Sequence, residues 1–400
     1  MKKGENMEDY FAEEEKVKEK KLNKKKIAII IVILVVLLLA IASVVVYNVN
    51  NEAKEWIDKN IFKKEVFQNT ATSIQLEDDN VNIYAFNKYI GILNKNNFKI
   101  YNSFASQEKE LNIDISTPIF ASSNRYLAIA EKQGQKLYAI EDKDIKWETS
   151  VSGNIYQVHT NKNGYIAAVL TDTTYKTVVS VYNNEGKNIF NTYVSSTSTI
   201  DVSISNDNKY VAIAEVDTSG TMVQSRVKII SVEKAQKEAE NSIIKTQYFE
   251  KNKLITNIKY QDKNKLICMF PDSIHIIEDE NDNIITDNSD KKITFCSIDL
   301  ENNIAVIEEQ STGLFTANSI LNIINTNNKN SISYTSSEVT KDIYTYENMV
   351  ALNLGSEIDF INTSGWLCKK YIANQEITNI VISNSIAGII YRDKIEIINL

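Results

Sequence analysis

Ile200-Asp-Val-Ser-Ile204, then Ser205-Asn-Asp-Asn208, then Lys209-Tyr-Val-Ala-Ile-Ala214 is the stretch that decides the fold. Alternating apolar residues in the first run mark a half-buried strand, and the polar cluster marks a turn. The third run is apolar almost throughout, as a strand covered on both faces must be. This second-strand pattern recurs at Lys88–Leu93, Arg125–Ala130, Gly164–Leu170, Lys265–Phe270, Asn303–Glu308, Met349–Leu354 and Ile386–Tyr391. Each copy precedes another alternating strand: Phe98–Tyr101, Lys136–Ile140, Thr177–Tyr182, Arg226–Val232, Ser273–Ile277, Ile320–Ile324, Glu357–Ile361 and Lys394–Ile398. Successive copies lie 37 to 56 residues apart.

A period near 40–50 residues with about four short strands per unit is the signature of a propeller blade. A lone blade cannot cover both of its faces, so the units stack in a ring. The reading is an all-β, eight-bladed β-propeller over 66–400, or a seven-bladed ring if Val81–Tyr101 is only a lead-in. The chain stops at Leu400 before an outer strand for the last blade, which would leave an open sheet edge. The unassigned strand-like residues are Val66-Phe67 and the alternating Thr72–Leu76, and the expected solution is antiparallel pairing of this N-terminal segment, Thr72–Leu76 foremost, with Lys394–Ile398. With 11 Gly in 400 residues, the turns are expected to use Asn for positive φ. Asn94, Asn96, Asn97, Asn183, Asn184, Asn206, Asn208, Asn281, Asn283, Asn327 and Asn328 are the candidates. Glu233–Glu240 reads as a helix-prone surface insertion in the fourth blade.

Ahead of the repeats, Ile27–Tyr47 is 21 residues with no charge, Gly or Pro. About 20 apolar residues are needed to cross a bilayer. The run is longer than the apolar region of a signal peptide and continues past Ala40-Ile41-Ala42, so it reads as an uncleaved transmembrane helix. Seven Lys lie in the fifteen residues before it, against Lys54 and Lys59 in the fifteen after Tyr47. The Lys-rich side stays in the cytoplasm. The expected layout is a cytoplasmic tail at 1–26, the span at 27–47, an extracytoplasmic stalk at 48–65 and the propeller outside the cell membrane.

The net charge of −8, or about −10 once the +2 tail is set aside, argues against nucleic acid and other polyanions as partners. Three Cys exclude a disulfide scaffold, and two His leave little for a His-based metal cage. His159 and His275 fall in different repeats and read as structural, and Cys268, Cys296 and Cys368 as buried thiols. A Cys268–Cys296 bridge between neighbouring blades is the lesser alternative. Glu278-Asp-Glu-Asn-Asp-Asn283 is the most acidic stretch, but Ile284 stands where a calcium loop needs Gly, so it reads as a solvated hairpin tip. No nucleophile elbow, phosphate-binding loop or zinc-protease motif is present. No catalytic, cofactor-binding or metal residue is assigned, and no cofactor is expected.

Lys136-Leu-Tyr-Ala-Ile140, Lys143-Asp144 and Ile145-Lys146-Trp147 resemble the strand–turn–strand unit of pyrroloquinoline-quinone (PQQ)-like repeats. Weaker copies are Val179–Tyr182 with Glu185–Phe190, and Ile358–Ile361 with Thr363–Trp366. The layout as a whole resembles single-pass, membrane-anchored propeller proteins of Gram-positive anaerobic bacteria. The resemblance implies the propeller fold. Quinone enzymes of related fold use an adjacent Cys pair and a calcium site, and this chain has no adjacent Cys pair. The expected function is a non-enzymatic binding or scaffolding module at the cell envelope, with envelope proteins or another extracytoplasmic ligand as partner. The alternative is an envelope hydrolase or redox enzyme on the same ring.

Overall fold

The computed structural model describes residues 24–49, 57, 66–67, 71–76, 81–172, 174–238, 241–279, 281–287, 291–311, 317–336 and 338–400. The chain divides into two units, 1–62 and 63–400.

In the first unit α1 spans Lys24–Val49, about 39 Å at 1.5 Å per residue. Unbranched, β-branched and Ala side chains without Gly or Pro sustain it. Its side chains are described at 31–39, 41, 42 and 44–46, and all of these are exposed. On that footing, no helix among the described residues is long and apolar enough to cross a membrane. The expected tail up to residue 23 and all of the stalk but residues 48, 49 and 57 lie outside the described residues.

The second unit is a ring of eight antiparallel sheets. Blades 1–7 occupy 82–112, 118–150, 154–194, 198–251, 257–287, 293–335 and 342–372. Blade 8 joins 379–399 to Thr72–Gln75. The pairing is antiparallel, Thr72 with Ile397, Ser73 with Glu396, Ile74 with Ile395 and Gln75 with Lys394. Eight blades and the expected closure are therefore both present. The seven-bladed alternative fails because Asn82–Phe86, Tyr89–Asn94, Asn97–Tyr101 and Gln107–Asn112 form a complete first blade. Val66–Phe67 is a strand, as its sequence suggested, but it does not join the last blade: it lies parallel to Lys369–Lys370 as a fifth strand on blade 7.

In each blade the first strand is innermost, and first strands pack side by side from blade 6 through blades 7, 8 and 1 round to blade 5. The second and third strands are covered on both faces, as at Ile166–Thr171 and Thr177–Tyr182, which explains their near-continuous apolar sequence. The core lies between blades. Ala128, Leu137, Ile155, Ala168 and Leu170 form one such layer between blades 2 and 3.

Two expectations need correction. Of the eleven Asn proposed to take positive φ, only Asn208 does, although Asn87, Asn124, Asn252 and Asn302 take it in other turns. Several turns work by side-chain acceptance instead. Asn161, Asn183 and Asn362 open five-residue turns in which Oδ1 accepts from the backbone N–H groups two and four residues on. The left-handed position falls three residues on, at Gly164, Gly186 and Gly365. Asn is selected there because its amide mimics a backbone turn. The insertion after blade 4's third strand is also no inert surface elaboration. Val232–Lys237 forms α2, capped by Ser231, and buries Val232 and Ala235 against Val181, Phe190 and Ile230.

Candidate functional site

The innermost strands surround a central channel with a chamber of about 540 Å³ walled by blades 2–7. A second chamber of about 410 Å³ lies against blades 1, 6, 7 and 8. Cys296, Ser297, Asp299 and Thr345 line both.

One end of the channel is built from the turns that follow the innermost strands. From blade 3 to blade 7 each turn bonds the next. Asn161 Nδ2 donates to Ser205 O at 2.9 Å, and Asn206 Nδ2 to Gln261 O at 3.1 Å. Gln261 Nε2 donates to Leu300 O at 2.9 Å and Asn303 O at 2.7 Å, while Gln261 Oε1 accepts from Thr326 Oγ1. Glu301 N donates to Glu347 O, and Leu300 bridges Glu347 in parallel. Across the seam Ser383 Oγ donates to Asn87 O, and Asn87 Nδ2 to Asp142. Buried amides such as Asn161 and Gln261 are costly to bury unless paired, so this belt fixes the relative height of the blades.

The wall carries acid–base pairs. His159 Nε2 is 3.4 Å from Asp201 Oδ1, linking blades 3 and 4. Lys259 Nζ is 2.8 Å from Asp299 Oδ1, linking blades 5 and 6. Asp201 also accepts from Val202 N at 2.9 Å and Ile258 N at 2.7 Å. Burial lowers the His159 pKa from its ordinary value, opposed by the neighbouring Asp201 carboxylate. Burial raises that of Asp201, opposed by His159 and the two backbone donors. Burial also pushes the Cys296 thiol up to about 11. A thiol so protonated is a weak nucleophile near neutral pH.

The residues singled out in sequence scatter. His159 reaches the channel wall. His275 sits inside blade 5, with Nδ1 2.9 Å from Asp282 Oδ1 and Nε2 3.3 Å from Ser273 Oγ, as a structural histidine. Cys268 and Cys368 are buried, Cys296 is half-buried at the channel, and all three are free thiols, so the Cys268–Cys296 bridge does not form. The acidic stretch is less of a loop than its composition suggests. Ser273–Glu278 and Asn281–Asp287 are paired strands, with Glu278 opposite Asn281. Among the described residues no three His, Cys, Asp or Glu side chains gather into a metal-holding group. Sequence reading missed Asn161, Ser205 and Gln261, although a polar residue directly after the innermost strand in three successive blades was the available signal.

The PQQ-like unit has a packing role. Trp147 lies 5.8 Å from Tyr182 between ring centres, tilted by 32°, and covers Gly186, where a Cβ would come within 2.7 Å of the indole.

Among solved structures, the chain is similar to BamB from Moraxella catarrhalis at 11% identity and a TM-score of 0.46, over 82% of this chain and 96% of that one. It is similar to apo AztD from Citrobacter koseri at 11% identity and 0.47, over 74% and 86%. The Cps50 (Swd1) β-propeller domain of Myceliophteria thermophila gives 11% and 0.43, over 82% and 99%. At this identity the likenesses assign neither ligand nor activity. They do not bear on the expected resemblance to membrane-anchored proteins of Gram-positive anaerobes. No curated protein matches the sequence. Residues 58–400 match the family described as "Family of unknown function (DUF5711)", and since that span takes in the whole ring, the chain belongs to this family.

Proposed function

We propose that this chain is a non-enzymatic binding or scaffolding module, tethered by residues 27–47 to a cell membrane with its propeller on the extracytoplasmic side. The observation that carries the binding reading is the state of the channel wall. Six of the seven acidic and basic side chains on it face one another, in the His159–Asp201, Lys259–Asp299 and Lys162–Glu301 pairs, and its one cysteine is held protonated. An enzyme needs a nucleophile or general base kept free for substrate. The tether rests on the sequence: the uncharged run Ile27–Tyr47 and the lysine asymmetry around it. The partner is an envelope protein or another extracytoplasmic ligand, and the propeller's negative charge disfavours polyanions.

Protease added to intact cells should remove a C-terminal epitope, and full protection would refute the topology. Cross-linking in cells followed by identification of captured proteins tests the binding role. Turnover of a glycan or peptide library by the purified chain, with nothing captured, would establish the enzyme alternative instead.

A further inference from the structure

Two contacts cross the channel between blades that are not neighbours. Lys162 Nζ, in the turn after blade 3's innermost strand, lies 2.6 Å from Glu301 Oε1 in the equivalent turn of blade 6. Asn124 N, in the same turn of blade 2, donates to Tyr346 OH of blade 7 at 3.0 Å. Both contacts lie at the end already girdled by the amide belt. At the opposite end the innermost strands begin with exposed polar residues, including Asn154, Ser198, Asn257 and Asn379. Asn257 is both exposed and part of the larger chamber's wall, which places it at an opening.

We infer that the channel is a one-ended cup, with the Lys162–Glu301 and Asn124–Tyr346 contacts as a clasped floor and its mouth at the between-blade connections. The inference deepens the binding reading by assigning the ligand-receiving face. A chamber of about 540 Å³ suits a small solute or a single inserted side chain. The two contacts differ in kind. The ion pair is about a third exposed on both sides, so salt screens it. The tyrosine bond is neutral and resists salt.

Cys296 is a built-in reporter, because it lines both chambers while Cys268 and Cys368 are buried. The experiment measures the rate of Cys296 alkylation by N-ethylmaleimide in the purified full-length chain, with Cys296→Ser as the blank. Asn257→Trp with Asn379→Trp narrows the mouth and should slow labelling. Adding Lys162→Met to that background should restore it about threefold, and adding Tyr346→Phe as well about tenfold, since each contact is a single partly solvated one. Raising ionic strength should speed labelling in the mouth-narrowed variant and lose that effect once Lys162→Met is present. Far-ultraviolet circular dichroism confirms that each variant is folded. Unchanged labelling in the mouth variant, or a Lys162→Met chain that labels faster with the mouth unaltered, would overturn the inference by placing entry at the clasped end. Either result leaves the envelope-partner reading standing, since labelling reports access and capture reports partners.

Discussion

Proline at position 74 should open the ring, whereas proline at position 73 should not. Leu76 N donates to Asp393 O at 2.9 Å, and the register pairs Ile74 with Ile395. Hydrogen-bonded pairs alternate along an antiparallel ladder, so Ile74 bonds Ile395 while Ser73 turns its N–H outward. Ile74→Pro removes a ladder donor, worth about 1 kcal/mol. It also removes the half-buried side chain that covers Ile395 and Ile397, worth about 1.5 kcal/mol. The pyrrolidine ring facing the ladder adds about 1 kcal/mol more. The sum, about 3.5 kcal/mol, divided by an unfolding entropy of about 0.7 kcal/mol/K for a domain this size, is a fall of about 5 °C in Tm. Ser73→Pro sits on the solvent side of an edge strand, where proline is tolerated, and should cost below about 1 °C. Scanning calorimetry of the full-length chain in detergent resolves the two. Equal shifts for the pair, or no shift at Ile74→Pro, would refute the closure argument.

Three further outcomes follow from the geometry. Glu215 is fully buried, accepts from Arg226 and Thr197 and is ion-paired with Lys228, so Glu215→Gln strands two partly buried cations and should cost about 3 kcal/mol in urea unfolding. Gly186→Ala forces a Cβ onto Trp147 at a φ of +83° and should destabilise by about 2 kcal/mol, an effect reduced in a Trp147→Leu background by loss of the clash. His159 is the pH-dependent group. Its folded pKa lies below the ordinary 6.5, so the unfolded chain binds the proton first and stability falls as pH drops from 6.5 toward the folded value. Asp201, raised above 3.8, works in the opposite sense at lower pH. His159→Gln should therefore flatten the upper part of the acid limb, which a pH series of melting curves will read.

The period of apolar strands was enough to count blades, because a strand covered by neighbours on both faces must be apolar throughout. Closure was legible for a related reason: one blade lacked an outer strand, and Thr72–Gln75 was the alternating segment left to supply it. Val66–Phe67 was strand-like in sequence but its partner in blade 7 was not legible, since a parallel pair of two residues needs no pattern. Most asparagine turns were placed correctly, though Asn281 and Asn283 lie in a strand, and the left-handed residue was misassigned at all but Asn208, because sequence shows where a turn falls but not which of its residues takes the left-handed position.

The channel shows the same division. Repeat spacing determines that innermost strands exist and that they gather on one axis. It says nothing about which blades face each other, since that depends on how eight unequal sheets settle around the ring. Lys162 meets Glu301 from 139 residues away, and Asn124 meets Tyr346 from 222. In sequence these are ordinary polar residues in ordinary turns. Local periodicity fixes each blade because its forces act between residues near in the chain. The clasp across the floor is decided only when the ring has closed.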